Sequence, residues 1–203
     1  EALPPERLRG LGPYKVLLSN PRFHLACHVK GLENVVRHGL TTWVPIYYFE
    51  EAGLSIESTV LLTVLLPLGY LIAPPMAGIA SDRLLHSARR PMVLISCGVS
   101  SVVLAALAFA PPDNISLGAA LLLVGGLAIG MSPMAAMAVD ISGRRMSGTA
   151  SGLLDAHGYL YSGTMAIVFS VLLDMGGSPW PIIFLFMAGT RILAAGMIAR
   201  VRV

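Results

Sequence analysis

The chain has 203 residues, of which 55% are hydrophobic and only 12% are charged. Because a soluble domain usually carries about 25% charged residues, this composition excludes an ordinary soluble protein and indicates a lipid environment. The net charge of +3 comes from basic residues concentrated in predicted loops, so it describes membrane topology and does not indicate a nucleic-acid partner.

Six predominantly apolar windows approach the roughly 20 residues that a transmembrane helix needs. In chain order they cover residues 25–49, 58–80, 91–110, 117–139, 148–172 and 181–199. The preceding residues 1–22 are polar and rich in proline and glycine, which predicts an exposed cytoplasmic linker at the end of a central loop. We therefore predict an all-α, multi-pass integral membrane protein, with a linker over 1–22 and a six-helix transmembrane domain over 23–203.

Loop charges predict the orientation of this domain, because short cytoplasmic loops collect Lys and Arg. The basic residues precede the first window and follow the second, fourth and sixth: Arg7, Arg9, Lys15, Arg22, Arg83, Arg89, Arg90, Arg144, Arg145, Arg200 and Arg202. In the alternate loops the charged residues are all acidic: Glu50, Glu51, Glu57, Asp113 and Asp174. Both termini are therefore predicted to be cytoplasmic, and we expect the plasma (inner) membrane.

The first window is the least apolar and contains a polar stripe. Charges inside a span cost about 2.5–3.5 kcal/mol each, so they usually face a cavity or a partner. At 3.6 residues per turn, five polar side chains fall within roughly 60° of one another: Lys30, Asn34, Arg37, Thr41 and Tyr48. Glu33 is spaced to pair with either Lys30 or Arg37. The stripe predicts a substrate-binding surface.

Arg37 lies near the middle of its window, and its guanidinium is a fork of donors that matches phosphate or carboxylate oxygens. We predict that it binds the anionic end of a small solute, with a structural ion pair to Glu33 as the alternative. Lys30 is nearer the cytoplasmic end, where snorkelling to the interface and substrate contact both explain it. His38 points off the stripe, which favours helix packing.

Prolines and glycines also fall inside the windows. Five prolines predict kinks that either line a cavity or only distort packing: Pro45, Pro67, Pro74, Pro75 and Pro133. Two glycine pairs with the spacing that lets helices approach closely predict packing surfaces: Gly126 with Gly130, and Gly148 with Gly152.

Residues 35–48, VVRHGLTTWVPIYY, contain an arginine, a small run, Trp-x-Pro and a tyrosine. This stretch resembles the seventh helix of the organophosphate:phosphate antiporter family, which includes glycerol-3-phosphate and hexose-phosphate transporters. The resemblance implies that Arg37 holds the substrate phosphate. Thr42 stands where those antiporters tend to carry an acidic residue, and Lys30 and Glu33 stand where they are more apolar.

A second motif follows the second window, with Gly78, Asp82 and Arg83 in a Gly-x-x-x-Asp-Arg pattern and the basic pair Arg89 and Arg90 behind it. It resembles the signature loop of the major facilitator superfamily. The resemblance implies a cytoplasmic charge network that latches helix ends together during alternating access. Anchoring of the topology by the basic residues is the alternative, to which Asp82 would add nothing.

Residues 148–160, GTASGLLDAHGYL, are similar to the eleventh helix of the same antiporter family. The similarity implies that Tyr159 is a cavity residue. For His157, proton coupling, substrate binding and an ordinary helix–helix hydrogen bond all remain open. The same alternatives hold for Asp155.

Together these motifs resemble the carboxyl-terminal six-helix half of a major facilitator transporter over nearly all of residues 20–203. The resemblance implies a secondary active transporter that moves an organic anion, a phosphorylated or carboxylated metabolite, by alternating access. Exchange for inorganic phosphate and coupling to protons both remain open. The amino-terminal six-helix half would be missing, and since the chain opens on Glu1 without Met or a signal peptide, we expect a fragment.

Other classes of protein fit less well. Paired carboxylates, a nucleophile with a base, or clustered metal ligands do not occur at a usable spacing, so we predict no enzyme, metal or cofactor. Cys27 and Cys97 fall in apolar windows and are expected to be buried, inert thiols. The alternative function is a transporter-like membrane sensor that binds a sugar phosphate and signals to a partner. Arg191, near the middle of the last window, is expected to approach the cytoplasmic interface through a shift in helix register.

Overall fold

The computed structural model describes residues 10–84, 89–174 and 177–200, except the side chains of residues 81, 82 and 84. Every regular element in these ranges is helical, which confirms the predicted all-α class. The helices are α1 (Gly12–Leu18), α2 (Pro21–Glu50), α3 (Ile56–Thr63), α4 (Leu65–Leu84), α5 (Arg89–Phe109), α6 (Ile115–Gly130), α7 (Met134–Ser142), α8 (Ser147–Asp174) and α9 (Trp180–Ile198). A single 3-10 turn, Arg144–Met146, precedes α8.

Five helical segments are long and apolar enough to cross a membrane: Ile56–Ala80, Arg89–Phe109, Ile115–Ser142, Arg144–Asp174 and Trp180–Ile198. They coincide with the second to sixth predicted windows and indicate an integral, multi-pass membrane protein. Helix α2 has 30 residues and is about 45 Å long at 1.5 Å per residue, more than a bilayer core of about 30 Å. It differs from the others because its middle carries the polar stripe.

Two of these segments are interrupted at prolines. The segment Ile56–Ala80 is divided at Val64 into α3 and α4. The division falls three residues before Pro67, which cannot donate a hydrogen bond to the carbonyl of Thr63. The segment Ile115–Ser142 is divided between α6 and α7, where Pro133 is the N-cap residue of α7. Pro45 lies inside α2, and the pair Pro74 and Pro75 lies inside α4, without ending either helix.

Helix α2 lies at the centre of the packing. It contacts α8 and α9 extensively, α9 packs along α5, α5 packs on α6, and α6 packs along α4. Two apolar clusters hold these helices together. One surrounds Leu40, Leu104 and Phe169, and the other surrounds Phe23 and Cys97. Since α2 makes its main contacts with α8 and α9, only part of the polar stripe, around Arg37 and Thr41, stays exposed.

The close approach of α4 and α6 depends on glycine. A Cβ atom added to Gly69 would lie 2.6 Å from the backbone nitrogen of Leu127, and one added to Gly130 would lie 2.8 Å from the Cβ of Ala73. The predicted packing role of Gly126 and Gly130 is therefore confirmed. At Gly148 and Gly152 an added Cβ would meet open space. No helix of the described chain approaches them closely, so the packing surface expected at these two glycines stays a prediction.

Candidate functional site

The open face of α2 presents Arg37 and Thr41, both exposed. The guanidinium carbon of Arg37 lies 4.8 Å from the centroid of the Tyr70 ring on α4, which is the geometry of a cation–π contact. Thr41 donates a hydrogen bond from its hydroxyl to the backbone carbonyl of Arg37, at 2.7 Å. The middle of the stripe is thus an accessible cation backed by an aromatic ring.

The stripe is packed at other positions. Asn34 is buried against Gly158 of α8, where an added Cβ would lie 2.9 Å from the Asn34 Cγ. Tyr48 is buried beside Tyr47, with ring centroids 4.9 Å apart, and its hydroxyl closely approaches Gly118 of α6. The side chain of Lys30 is only 14% exposed. Of the five predicted substrate contacts on α2, the structure exposes Arg37 and Thr41.

Glu33 is nearly buried, at 3% exposure, and both of its oxygens face cations. Lys30 donates from Nζ to Glu33 Oε1 at 3.2 Å. Arg191 Nη1 of α9 lies 3.8 Å from Glu33 Oε2. Among the described residues these are the ion pairs of Glu33, so the alternative pairing with Arg37 that the sequence allowed is not formed.

Arg191 is completely buried, with 0% exposure, between α9, α5 and α2. Its Nε donates to the Ser100 hydroxyl at 2.8 Å, and its Nη2 donates to the Ser96 hydroxyl at 2.8 Å. The expectation that Arg191 approaches the cytoplasmic interface is therefore wrong. Two serine hydroxyls accept from the guanidinium, and the carboxylate of Glu33 lies within ion-pair distance, so the charge has polar and charged partners inside the bundle.

Sequence reasoning overlooked Ser96 and Ser100. Their spacing of four residues places both hydroxyls on one face of α5, a predominantly apolar helix. That pattern was the available signal for a buried polar partner, and it matches the unexplained arginine on α9. The match could be seen only once α5 and α9 were known to be neighbours.

A second group of ionisable side chains lies between α2 and α8. His28 Nδ1 and the Tyr161 hydroxyl are hydrogen-bonded at 2.8 Å. The rings of His28 and His157 meet edge to face, with centroids 6.2 Å apart. His157 Nδ1 donates to the Leu153 carbonyl of its own helix at 2.8 Å, which in the neutral ring leaves Nε2 as an acceptor.

The remaining predicted residues of α8 are accessible. Tyr159 is 64% exposed, and its ring lies beside that of His38 on α2, with centroids 5.6 Å apart. Packing of His38 between helices is thus as expected. Asp155 is also exposed. Tyr159 and Arg37 therefore both reach the surface of the described chain, from neighbouring helices.

The residues of the signature pattern lie at the end of α4 and the start of α5. An added Cβ at Gly78 would meet open space, and Arg83 is exposed. The side chain of Asp82 lies outside the described part of the structure. The charge pair expected at this residue is therefore not described.

The trailing basic pair makes contacts within the bundle. Arg89 Nε lies 3.5 Å from Asp140 Oδ2, which joins the start of α5 to α7. Arg90 donates from Nη2 to the carbonyl of Ala199, just after α9. These contacts tie three helix ends together. The sequence reading did not include Asp140, although it stands near the end of an apolar segment, four residues before Arg144.

Among the described residues, no group of three or more His, Cys, Asp and Glu side chains is placed to hold a metal ion. Cys27 and Cys97 are buried and free. The region around the middle of α2 contains three cations, Lys30, Arg37 and Arg191, and one carboxylate, Glu33. The excess positive charge suits the binding of an anion.

The family model described as Major Facilitator Superfamily matches residues 11–203 of this chain. Among curated proteins, no sequence matches it.

Proposed function

The chain belongs to the Major Facilitator Superfamily and is a membrane transporter; on that premise, we propose that it is the carboxyl-terminal half of a secondary transporter for an organic anion. In this proposal residues 23–203 form six spans, with α2 as the first, and residues 1–22 end a central cytoplasmic loop. Both termini then lie in the cytoplasm, and the membrane is the plasma (inner) membrane. An amino-terminal six-helix half completes the transporter.

The observation that carries the anion proposal is the state of Arg37. Its guanidinium is exposed and rests on Tyr70, while the nearby carboxylate of Glu33 is engaged by Lys30 and Arg191. An arginine without a neutralising carboxylate retains its attraction for a phosphate or a carboxylate group. We infer a phosphorylated or carboxylated metabolite as the solute, with a phosphate ester favoured by the sequence around Arg37.

In the mechanism we propose, the open face of α2 lines a central cavity between the two halves. Arg37 binds the anionic group of the solute, and rocking of the halves exposes the cavity to each side in turn. The other proposed substrate contacts are Thr41 and Tyr159, which are exposed, and Lys30 and His157, which are partly buried. Asn34 and Tyr48 are buried and would support the site from behind. Glu33 and Asp155 serve as ion-pair or coupling residues.

The cytoplasmic latch of this mechanism consists of the signature residues Gly78, Asp82, Arg83, Arg89 and Arg90. The pairing of Arg89 with Asp140, and of Arg90 with the end of α9, supports this role. Because the Arg89 and Asp140 side chains are 27% and 44% exposed, their ion pair adds little to stability. A weak pair of this kind suits a contact that breaks and reforms during transport.

Uptake by the purified complete transporter, in which this chain is joined to the proposed amino-terminal half, tests the proposal in liposomes. Radiolabelled inorganic phosphate, glycerol 3-phosphate, a hexose phosphate and a dicarboxylate would be offered to vesicles with and without internal phosphate. Uptake of at least one anion, above that of protein-free vesicles, is expected. Acceleration by internal phosphate would indicate exchange, and acceleration by an inward proton gradient would indicate symport. Absence of flux for every anion, with the protein correctly inserted, would contradict the proposal.

A further inference from the structure

Arg191 is a buried charge that needs a counter-ion. It has 0% exposure, and an uncompensated charge in such a place is strongly unfavourable. The hydroxyls of Ser96 and Ser100 satisfy two of its nitrogens but carry no charge. Glu33 is the carboxylate within ion-pair distance, with 3.8 Å between Arg191 Nη1 and Glu33 Oε2. The need of Arg191 for a counter-ion therefore holds one oxygen of Glu33 on the α9 side of α2.

The same carboxylate has another potential partner on its own helix. Glu33 precedes Arg37 by four residues, and a glutamate placed four residues before a cation is the favourable orientation for an ion pair on a helix. In the structure this pair is replaced, because one oxygen of Glu33 faces Arg191 and the other accepts from Lys30. Arg37 instead lies over the uncharged ring of Tyr70.

We propose that Arg191 is a positioning residue that sets the charge of the anion site, by keeping Glu33 away from Arg37. The inference rests on the proposed function, since it concerns the same arginine. Loss of Arg191 would free Glu33 to pair with Arg37, and the open face of α2 would lose most of its positive potential. Ser96 and Ser100 contribute by fixing the guanidinium in the orientation that meets Glu33.

A thiol beside Arg37 measures this potential without any solute. Thr41 is exposed and hydrogen-bonded to the Arg37 carbonyl, so Thr41→Cys places a reporter one turn away with Arg37 intact. The two native cysteines, both buried, would be replaced by alanine. The parent protein, in liposomes, would be treated with anionic sulfonatoethyl and cationic trimethylammonioethyl methanethiosulfonates. Both reagents attack the same thiolate, so the ratio of their rates reports local charge.

The anionic-to-cationic rate ratio should be high in the parent. Arg37→Gln, the matched control, should lower it about tenfold, the size expected for one unit charge about 6 Å away on a solvent-exposed face with an effective dielectric constant of about 80. Arg191→Met should lower the ratio toward the Arg37→Gln value. The double change Glu33→Gln with Arg191→Met should return it to within about twofold of the parent, because no carboxylate is left to pair with Arg37.

An unchanged ratio in Arg191→Met would overturn the inference, and so would failure of the double change to restore it. If Arg191→Met does not insert, Ser96→Ala with Ser100→Ala keeps every charge but releases the guanidinium. We then expect a partial fall in the ratio, and the parent value would overturn the inference. Because the measurement needs no transported solute, a lowered ratio without anion uptake would refute only the proposed function. An unchanged ratio with intact uptake would refute only the role of Arg191.

Discussion

The guanidinium carbon of Arg37 on α2 lies 4.8 Å from the centroid of the Tyr70 ring on α4. The Tyr70 hydroxyl is buried beside the Thr41 side chain. The ring, rather than the hydroxyl, is thus the part of Tyr70 that meets Arg37. This contact orients the cation on the open face while leaving its charge uncompensated.

Tyr70→Leu should therefore weaken anion uptake, because Arg37 loses the ring that orients it. Cation–π contacts contribute about 0.5–2 kcal/mol, so we expect the KM for the transported anion to rise roughly twofold to thirtyfold. Tyr70→Phe is the matched control, since it keeps the ring and removes only the hydroxyl. Uptake kinetics in liposomes would measure both. Equal effects of the two substitutions would show that the ring does not position Arg37.

Gly158→Ala should destabilise the contact between α2 and α8. The added Cβ would lie 2.9 Å from the Asn34 Cγ and closer still to its side-chain nitrogen, and overpacking of this kind typically costs about 1–3 kcal/mol. Gly163→Ala, on the same helix but facing open space, is the control and should be neutral or slightly stabilising. Thermal unfolding in detergent would compare the two. A Gly158→Ala protein as stable as the control would contradict the Asn34 contact.

The orientation of the helices predicts which introduced thiols an impermeant maleimide reaches from outside the cell. Ser55→Cys, in the exposed connection between α2 and α3, should be labelled in intact cells. Ser19→Cys, between α1 and α2, should be labelled only after the membrane is permeabilised. Burial of Cys27 and Cys97 keeps the background low. Labelling of both thiols from outside would mean that α2 does not cross the membrane.

Much of the fold could be predicted from hydropathy and loop charge, because both are local properties of the sequence. The positions of the apolar windows, and the breaks near Pro67 and Pro133, needed no knowledge of neighbours. The start of α2 was harder to place, since its N-cap residue Asn20 lies five residues before the first apolar window. Helix α2 is long enough to span a bilayer, with 30 residues, but its polar stripe makes it less apolar than the five segments that meet the hydropathy criterion.

The site was less predictable, because each of its contacts joins residues far apart in the chain. Helical spacing allowed Glu33 to meet Lys30 or Arg37, but it could not show that Arg191 on α9 competes for the same carboxylate. It also placed Asn34 and Tyr48 on the stripe without showing that α8 and α6 cover them. Periodicity gives the direction of a side chain from its helix. The identity of the neighbour in that direction depends on tertiary packing.

The most direct test of the account is the replacement of Arg37 by lysine. Arg37→Lys keeps the positive charge but loses the planar fork that binds two oxygens of a phosphate or carboxylate together. We predict that uptake of the anionic solute into liposomes falls by at least about tenfold, while expression and insertion are unchanged. Arg145→Lys, at an exposed position in the connection between α7 and α8, is the control and should transport normally. Wild-type uptake by Arg37→Lys would contradict the central claim that this arginine binds the transported anion.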